Sequence, residues 1–452
     1  MKQKLLLSYY RLLASLARHY LHKHKPYIIG INGSVGKTSC RMIIYQTLKR
    51  FFPELKISTS KKNFNGELGL SLSIFEIDER NPTIGTFISV LRKITKQTLF
   101  GPRPYDIIIL EYGIDRPLEM EFLLDIAKPH IGVFTAIDSV HSEQFGNPAE
   151  IAKEEVKMIQ NTLEIGFLNA NDPYALQVKN RLKIDHLNYQ TAGHDIISDI
   201  KFEKEKFFLG DLQGSLGVGF DLHIKKNVHH IKTNILGKAN YGYIGVALTI
   251  AEIVSRKPQF SKHRLQLPSD LTLEYELQPG RLSIFPGIEE SIIIDSSYNA
   301  SPLSIRKIIN TVHNIREQLF PQRKVWMLLG DMRELGDLTE TEHRMISGYV
   351  SQVADRVFLV GDHMKNFLAD ELIKIGYPAE KIYTFTKSTQ AADTIKTMLA
   401  ESGNECLIVC KGSQNTIFIE EAVKKLLANP ADEYKLTRQS HRWMQKKKEF
   451  FQ

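Results

Sequence analysis

A glycine-rich segment that contains a lysine and hydroxyl residues lies near the start of the chain, and its residue types suit phosphate binding. It reads Gly30-Ile31-Asn32-Gly33-Ser34-Val35-Gly36-Lys37-Thr38-Ser39. Glycines let backbone amides turn toward phosphate oxygens, and the start of a helix adds partial positive charge. Lys37 can reach the terminal phosphates of a nucleotide, and Thr38 can hold Mg²⁺. The segment predicts a nucleotide site made of Gly33, Ser34, Val35, Gly36, Lys37, Thr38 and Ser39.

This segment departs from the strict phosphate-loop pattern at one position. The pattern requires Gly at position 31, whereas the chain has Ile31 there and Gly33 two residues later. A chance Gly-Lys-Thr in a turn is the alternative interpretation. However, an apolar strand pattern precedes the segment and a helical pattern follows it, which is the context that the motif needs. The context favours nucleotide binding.

Two further polar residues follow later apolar runs. Glu111 ends the run 106–110, a position from which a carboxylate can face a metal in the crevice outside the strand ends. His141 follows the run 131–135. A lone histidine is commonly a hydrogen-bonded structural residue, and for His141 both interpretations stay open at this point.

The elements that must position these residues alternate between apolar strand patterns and helical patterns. This alternation predicts an α/β fold with mostly parallel sheets covered by helices. The stretch 195–234 breaks the alternation with Gly-punctuated alternating residues and predicts an antiparallel insert. The predicted strands are 27–31, 106–110, 131–135, 291–295, 324–329, 356–360 and 405–409.

Two boundaries divide the chain. Residues 4–22 have leucines at three- and four-residue spacings and predict an amphipathic helix, which either packs on the next domain or lies on an anionic membrane surface. Around residues 258–270 the composition becomes polar and rich in proline and serine. We therefore predict an N-terminal helix at 1–25, a central domain at 26–268 and a C-terminal domain at 269–452.

Composition excludes several classes of protein. The chain has 452 residues, with 59 Lys and Arg against 51 Asp and Glu, which gives a net charge of +8. Its 42% hydrophobic content is typical of globular domains. No apolar run is long enough for a spanning helix, no secretory signal is expected, and three unpaired cysteines fit a reducing cytoplasm. The charge excess is compatible with anionic ligands, and no nucleic-acid partner is expected.

The residues together resemble the Mur ligase family, the ATP-dependent amide-forming enzymes of peptidoglycan precursor synthesis, from about residue 26 to 425. The order and number of the motifs make a chance match improbable. The resemblance implies a central P-loop ATPase domain followed by a C-terminal Rossmann-like domain. The matching segments are 33–39, Asn63 to Gly69, Glu111 to Gly113, His141 to Gly146, Asn169 to Asp172, Gly280-Arg281, Asp295 to Pro302, Leu329 to Gly336 with His343, and Lys411 to Ser413.

The family's chemistry implies roles for these residues. ATP phosphorylates a carboxylate, and an amine then attacks the acyl phosphate. By resemblance, Thr38 and Glu111 hold one Mg²⁺, and His141 belongs to a second. Arg281 and Asp295 would reach the nucleotide when the C-terminal domain closes, although Asp295 could instead cap a turn. The resemblance further implies substrate contacts at Asn63, Asn65, Tyr298, Asn299, Lys411 and Ser413.

The chain departs from the family at three places. Many members have a carbamylated lysine where this chain has Glu155, so Glu155 is predicted to serve the second Mg²⁺ directly, with Lys153 and Lys157 as alternatives and an exposed helical glutamate as the simpler interpretation. The nucleotide-side segment keeps Asn240 but has Ala239 and Tyr243 where His and Asn are common. Only about 26 residues precede the first strand, so the family's UDP-binding N-terminal domain is not expected.

The substrate follows from the branch of the family. The motifs are most similar to the branch that adds D-alanyl-D-alanine to a UDP-N-acetylmuramoyl-tripeptide. Without the UDP-binding domain, other surfaces or a partner chain would hold that end of the acceptor, or the acceptor differs. Two alternatives stay open: a ligase for another carboxylate, such as glutamyl chain extension or amidation of a lipid-linked precursor, and a nucleotide-binding protein without turnover.

Overall fold

The structure is a computed structural model. It describes residues 2–60, 66–77, 84–101, 104–139, 142–192, 197–212, 214–402, 405–413 and 416–451. Of the predicted site residues, Asn63, Asn65 and His141 lie outside the described residues.

The secondary structure alternates along the chain as the sequence predicts. The α-helices are α1 (Lys2–His24), α2 (Lys37–Phe51), α3 (Gly66–Ile74), α4 (Ile84–Phe100), α5 (Glu119–Ile126), α6 (Ser142–Phe145), α7 (Pro148–Gln160), α8 (Pro173–Val178), α9 (Lys238–Ser255), α10 (Pro302–Leu319), α11 (Thr339–Met345), α12 (Ser347–Val353), α13 (Asp370–Lys374), α14 (Ser388–Ser402), α15 (Ile419–Leu426) and α16 (His441–Phe451). The strands are β1 (Tyr27–Asn32), β2 (Ile57–Thr59), β3 (Ile107–Tyr112), β4 (Ile131–Phe134), β5 (Ile165–Asn169), β6 (Asp185–Tyr189), β7 (Ile200–Leu212), β8 (Gly214–Ile224), β9 (Asn227–Thr233), β10 (Asp270–Leu273), β11 (Ser283–Pro286), β12 (Ile292–Ser296), β13 (Lys324–Gly330), β14 (Arg356–Val360), β15 (Ile382–Phe385) and β16 (Cys406–Lys411).

The first sheet has the order β10-β9-β8-β7-β6-β5-β4-β1-β3-β2 within the described residues. Strand β1 is buried along its whole length and pairs in parallel with β3 on one side and β4 on the other. The connection after β1 leads to β2 on one side of β1, and the connection after β4 leads to β5 on the other side. A crevice therefore forms at the carboxyl ends of β1 and β4, which is where open α/β sheets bind ligands. The glycine-rich segment lies at this point.

The antiparallel insert is confirmed, and it extends the first sheet. Strands β7, β8 and β9 pair antiparallel, and β7 also pairs in parallel with β6 through Tyr189 and Ile200. Strand β10 pairs in parallel with β9. The first sheet therefore continues past residue 268, where the sequence predicted the boundary between the two domains. That division into domains remains a prediction.

The second sheet has the order β11-β12-β16-β13-β14-β15. All of its neighbouring strands run parallel except the edge strand β11, which is antiparallel to β12. Helices cover this sheet, and its buried residues form the core of the C-terminal part. We call residues 2–273, which include the first sheet, the first lobe, and residues 280–451 the second lobe. The two sheets confirm the predicted α/β fold.

Helix α1 packs on the first lobe. Its buried residues are Leu13, Ala14, Ala17, Tyr20 and Leu21, which join a core cluster with residues of α3, α4 and α5. Its leucine pattern is thus explained mainly by packing inside the fold. None of the helices in the described ranges combines the length and the apolarity that crossing a bilayer requires.

The lobes contact each other around their facing edges. The Asp138 carboxylate of the first lobe accepts a hydrogen bond from the backbone N–H of Leu303 at 3.2 Å, in the first turn of α10. On the other side, the Glu205 carboxylate accepts from Asn314 Nδ2 at 3.0 Å. These contacts hold a cleft between the carboxyl ends of the two sheets.

Candidate active site

The loop between β1 and α2 is built around two glycines with positive φ. Gly33 has φ +120°, and a Cβ there would lie 2.3 Å from Thr135 Oγ1. Gly36 has φ +90°, and a Cβ there would lie 2.1 Å from the Tyr243 hydroxyl. Because L-residues with side chains rarely adopt these angles, only glycine fits both positions. Gly36 is also the N-cap of α2 and provides no side-chain cap, so the helix start is available to an anion.

Lys37 lies inside this loop. Its Nζ donates hydrogen bonds to the carbonyl oxygens of Gly33 at 2.5 Å and Ser34 at 3.3 Å, and the residue is 9% exposed. The Ser34 hydroxyl is buried and has no partner in the described residues. A buried ammonium beside an unpaired hydroxyl donor matches the oxygens of a phosphate group. Both residues line the cleft.

Thr38, Glu111 and Arg41 form a connected group next to the loop. Glu111 lies near the end of β3, in register with Ile31 of β1, and its Oε2 accepts from Thr38 Oγ1 at 3.4 Å. Its Oε1 pairs with Arg41 Nε at 2.5 Å, and both side chains are almost fully buried. The hydroxyl and carboxylate oxygens supplied by Thr38 and Glu111 are the ligand types that Mg²⁺ prefers.

Arg41 is a site residue that the sequence analysis missed. It is 0% exposed and donates from Nη1 to Thr59 Oγ1 at 2.8 Å and to the carbonyl of Ser60, while its Nη2 finds no partner in the part of the chain that the structure describes. The available signal was its position, three residues after Thr38 and therefore on the same face of α2. Its charge compensates the buried Glu111 carboxylate.

Glu155 lies behind the loop. Its Oε2 accepts hydrogen bonds from Gly33 N at 3.1 Å and Asn32 Nδ2 at 2.9 Å, and the residue is 2% exposed. The interpretation of Glu155 as an exposed helical residue is therefore wrong. Burial raises the pKa of this carboxyl to about 7, although Lys37 opposes the shift. Glu155 is not among the residues that line the cleft, and its role as a Mg²⁺ ligand remains a prediction.

Lys153 and Lys157, the alternatives to Glu155, lie on the other side of α7. Lys153 pairs with Glu150 at 2.5 Å, and Lys157 pairs with Glu121 and Glu154, both at 2.8 Å. Their ammonium groups are engaged in these ion pairs. The geometry favours Glu155 over either lysine as the carboxylate near the loop.

The second lobe contributes Arg281 to the same cleft. Its guanidinium lies 4.2 Å from the centroid of the Tyr298 ring, and its Nε is buried without a partner in the described residues. Burial lowers its pKa, Arg41 adds to this effect, and the nearby charge of Glu111 partly offsets it. Arg281 thus lies close enough to Glu111 and Arg41 of the first lobe for their charges to shift its pKa. A buried guanidinium with an unused donor fits an anionic ligand.

Lys411 forms part of the second lobe's wall at the end of β16. Its Nζ donates to the carbonyl of Asn299 at 2.7 Å and contacts Ser296 Oγ at 3.3 Å. Burial, with the Arg281 charge as a smaller cause, lowers its pKa to about 7. Asn299 and Tyr298 also line the cleft, so the structure brings these three predicted substrate residues together.

Two predicted residues of the second lobe have structural partners instead. Asp295 is 0% exposed and is not among the described residues that line the cleft. Its Oδ1 accepts a hydrogen bond from Ser297 N at 2.9 Å, as expected if Asp295 caps a turn. Its Oδ2 has no partner in the described chain, and burial raises its pKa to about 6. Ser413 is also fully buried and donates to the Ala300 carbonyl at 3.3 Å. Nucleotide contact by Asp295 and substrate contact by Ser413 remain predictions.

The start of α9 completes the cleft on the side opposite Glu111. Asn240 lines the cleft, and its Nδ2 donates to the Leu236 carbonyl at 2.7 Å. Tyr243 is only 2% exposed, with its hydroxyl against Gly36. Tyr243 also lines the cleft, and its contact with Gly36 packs its side chain against the phosphate loop.

The cleft has a volume of about 1030 Å³ and carries a positive charge excess. Its basic residues are Lys37, Arg116, Lys238, Arg281, Arg306, Lys307 and Lys411, and its acidic residues are Glu111, Asp115, Glu205 and Glu334. Such an excess favours an anionic ligand. The unpaired donors of Ser34 and Arg281 and the glycine-lined turn fit a nucleotide with its phosphates at the loop.

The metal site is less complete than the phosphate site. No group of three or more His, Cys, Asp or Glu side chains that could hold a metal occurs within the described ranges. Thr38 and Glu111 supply two oxygen ligands, which suits Mg²⁺ because this ion keeps several waters and takes the rest from phosphates. The residues present therefore fit a magnesium nucleotide.

Comparisons with known proteins agree with this geometry. The family model described as "Mur ligase middle domain" matches residues 31–251, and the model described as "Mur ligase, glutamate ligase domain" matches residues 280–414. The UDP-N-acetylmuramoyl-tripeptide--D-alanyl-D-alanine ligase of Bacillus subtilis is 26% identical over 421 residues, covering 92% of this chain and 79% of the relative. The ligase of the same name from Borreliella burgdorferi is 26% identical, covering 89% of this chain and 75% of that protein.

Solved structures show the same fold. MurF ligase from Thermotoga maritima, crystallised in complex with ADP, has a TM-score of 0.68 at 20% identity and covers 95% of this chain and 85% of its own. MurF from Acinetobacter baumannii also has a TM-score of 0.68, at 18% identity, covering 91% of this chain and 79% of its own. The middle-domain match lies in the first lobe, and the glutamate-ligase-domain match lies in the second lobe. The chain therefore belongs to the Mur ligase family.

Proposed function

We propose that the chain is an ATP-dependent, ADP-forming carboxylate-amine ligase that adds D-alanyl-D-alanine to a UDP-N-acetylmuramoyl-tripeptide-like acceptor in the cytoplasm. The observation that carries this proposal is the single cleft in which Lys37 and Glu111 of the first lobe face Arg281 of the second. The activity named for the relatives from Bacillus subtilis and Borreliella burgdorferi supports the choice of substrates.

The proposed chemistry is activation of a carboxylate followed by attack of an amine. Bound ATP supplies the phosphoryl group that turns the inert carboxylate into an acyl phosphate. Lys37 and Arg281 provide fixed positive charge on opposite sides of the transferring group, which stabilises the charge that spreads over its oxygens. The lobes exclude water around this intermediate, so that the amine attacks the acyl phosphate before water can hydrolyse it.

Thr38 and Glu111 are proposed to hold a Mg²⁺ ion at the loop. When bound, this ion would neutralise phosphate oxygens during the transfer. Arg41 holds the Glu111 carboxylate in place through their 2.5 Å contact. A second ion with His141 and Glu155 as ligands is the remaining part of the metal proposal.

The acceptor and the amine are proposed to lie along the second lobe's wall. Tyr298, Asn299 and Lys411 line the cleft there, and Arg306 and Lys307 of α10 extend its positive charge. These cations suit an acceptor that carries several carboxylates. The nucleotide end of the acceptor is proposed to be bound by a partner chain. Membrane contact through α1 is less favoured, because Leu13, Ala17, Tyr20 and Leu21 of its apolar side are buried in the first lobe.

The experiment that tests the function is an omission series that measures phosphate release from ATP. The complete mixture contains UDP-N-acetylmuramoyl-tripeptide, D-alanyl-D-alanine and Mg²⁺, and each component is left out in turn. Release that requires every component, together with the amide product, supports the proposal. Release with glutamate or ammonia in place of D-alanyl-D-alanine would select a different ligase. ATP binding without release in any mixture would refute enzymatic turnover.

A further inference from the structure

Two neighbouring helices, α1 and α4, contain basic residues and no acidic ones. Helix α1 contains five Lys and Arg residues and helix α4 contains three, and neither helix contains Asp or Glu. Subtracting these eight from the 59 Lys and Arg of the chain leaves 51, which equals the 51 Asp and Glu. The rest of the chain therefore has equal numbers of basic and acidic residues.

Helix α4 turns a mixed apolar and cationic stripe toward solvent. The stripe consists of Ile88, Arg92, Lys93, Lys96, Leu99 and Phe100, all of which are exposed. Ile88, Leu99 and Phe100 are exposed by 54%, 50% and 81%. Ile88, Arg92, Lys96 and Phe100 follow one another at four-residue spacings on this face. A helix face that combines large apolar side chains with cations is typical of helices that lie in a membrane interface. We call these six residues the α4 stripe.

The opposite side of α4 is anchored to the fold, so the stripe has a fixed orientation. Val90 and Ile94 are buried in the core cluster that also contains α1 residues. The Tyr9 hydroxyl donates to the Phe87 carbonyl at 3.1 Å near the start of α4, and Lys23 Nζ donates to the Leu99 carbonyl at 2.9 Å at its end. Helix α1 thus holds α4 at both ends and leaves the stripe outward.

The cations of the stripe have no acidic partner within the described ranges. No carboxylate of the described residues forms an ion pair with Arg92, Lys93 or Lys96, whereas Arg18 of α1 pairs with Asp125. Three cations beside three exposed apolar side chains complement a surface that is both anionic and apolar below its charged layer. A nucleic acid would match the cations alone and would leave Phe100 and Ile88 in water.

We propose that the α4 stripe binds the surface of a bilayer that contains anionic phospholipids. Arg92, Lys93 and Lys96 lie at the headgroups, and Phe100, Leu99 and Ile88 enter the boundary between headgroups and acyl chains. This contact attaches the protein to the membrane surface through α4. The proposal does not depend on the proposed ligase activity, because no stripe residue lines the cleft.

Vesicle flotation tests this proposal with the full chain. One set of vesicles contains equal parts of phosphatidylcholine and phosphatidylglycerol, and the other contains phosphatidylcholine alone. We expect binding to the anionic set only, weakened by added salt. The triple variant Arg92→Gln, Lys93→Gln, Lys96→Gln should bind the anionic vesicles on the order of a hundredfold more weakly. Phe100→Ser should weaken binding roughly tenfold at the same salt concentration.

A matched triple variant, Lys201→Gln, Lys225→Gln, Lys226→Gln, removes three exposed cations from the β7–β9 part of the first sheet. We expect this control to bind vesicles as the parent does. Equal losses in both triple variants, or no binding to anionic vesicles by the parent, would overturn the proposal. Binding to an oligonucleotide but not to vesicles would also overturn it. Unchanged thermal unfolding of each variant shows that the comparison is between folded proteins.

Discussion

The Glu155 carboxylate accepts a hydrogen bond from the backbone N–H of Gly33 at 3.1 Å, so an acid from α7 supports the phosphate loop from behind. The same oxygen accepts from Asn32 at 2.9 Å, and the group is almost completely buried. The loop therefore depends on a side chain more than 100 residues away in sequence, 122 positions after Gly33. This relationship gives Glu155 a defined role whether or not it also contacts a metal.

Glu155 should make stability depend on pH. Its pKa is about 7 in the fold, above the ordinary value of 4.5, so folding favours the protonated form. The resulting stabilisation is complete below about pH 4.5 and is lost as the pH rises through about 7. We expect the parent to gain up to about 3 kcal/mol from this group between pH 8 and pH 5, and Glu155→Gln to lose that dependence. Thermal unfolding across this range measures it; identical pH profiles would contradict the assignment.

Glu155→Ala should also lose ligase activity, because Gly33 loses its support. Glu155→Gln, which keeps an acceptor oxygen for Gly33, separates loop support from metal binding. Retained activity in this variant would restrict Glu155 to support, and lost activity with a folded loop would favour a metal ligand. Bicarbonate should not change the parent's activity, since no carbamylated lysine is needed; a bicarbonate requirement would point to Lys153 or Lys157 instead.

Lys37→Ala should reduce phosphate release by roughly a thousandfold, because it removes the buried charge that faces the transferring group. Lys49→Ala is the matched control. Lys49 lies in the last turn of the same helix and donates to the Leu55 carbonyl at 3.2 Å, away from the cleft. Steady-state kinetics of the two variants make the comparison. Equal activity of the Lys37→Ala and Lys49→Ala proteins would mean that Lys37 takes no part in the mechanism.

Arg281→Ala should lower kcat by about a hundredfold and change nucleotide affinity much less. The reason is that Arg281 reaches the cleft from the second lobe, whereas the loop that binds the phosphates belongs to the first. Arg256→Ala serves as a control, because Arg256 is exposed and its nearest carboxylate, Glu252, is 3.9 Å away. Kinetics and nucleotide titration should be measured on both. A loss of nucleotide affinity with an unchanged kcat would mean that Arg281 acts in binding alone.

Asp138→Ala should loosen the contact between the lobes. The Asp138 carboxylate accepts a hydrogen bond from the backbone N–H of Leu303 at the start of α10, and this bond joins the two lobes. Burial raises the pKa of Asp138. Losing an acceptor at a helix start costs about 1 kcal/mol, which corresponds to about a fivefold shift toward an open arrangement. Small-angle X-ray scattering should show a larger radius of gyration for Asp138→Ala than for Asp138→Asn. Identical radii would mean that this hydrogen bond does not hold the lobes.

The strands and the phosphate loop could be predicted from sequence because their signals are local. The apolar run before Gly33 and the glycines at 33 and 36 carry the information within ten residues. Contacts between distant segments could not be predicted in this way. The pairing of Asp138 with the amide of Leu303 depends on how the lobes meet, and the burial of Glu155 depends on where α7 packs.

Other differences have similar physical reasons. Strand β10 follows a polar, proline-rich stretch that resembles a linker, yet it pairs with β9 and extends the first sheet. Arg41 looked like an ordinary helix cation because its partner, Glu111, is 70 residues away. The leucine pattern of α1 indicated an amphipathic helix correctly, but the pattern alone could not decide whether protein or membrane covers the apolar side.

The most direct test of the account follows the oxygen atoms of the acceptor carboxylate. If the cleft activates that carboxylate by phosphorylation, an acceptor whose carboxylate carries heavy oxygen should pass one labelled oxygen to the released phosphate. Mass spectrometry of the phosphate after complete turnover should then show one heavy oxygen per phosphate. Phosphate without label, formed together with amide product, would contradict activation through an acyl phosphate and with it the central claim.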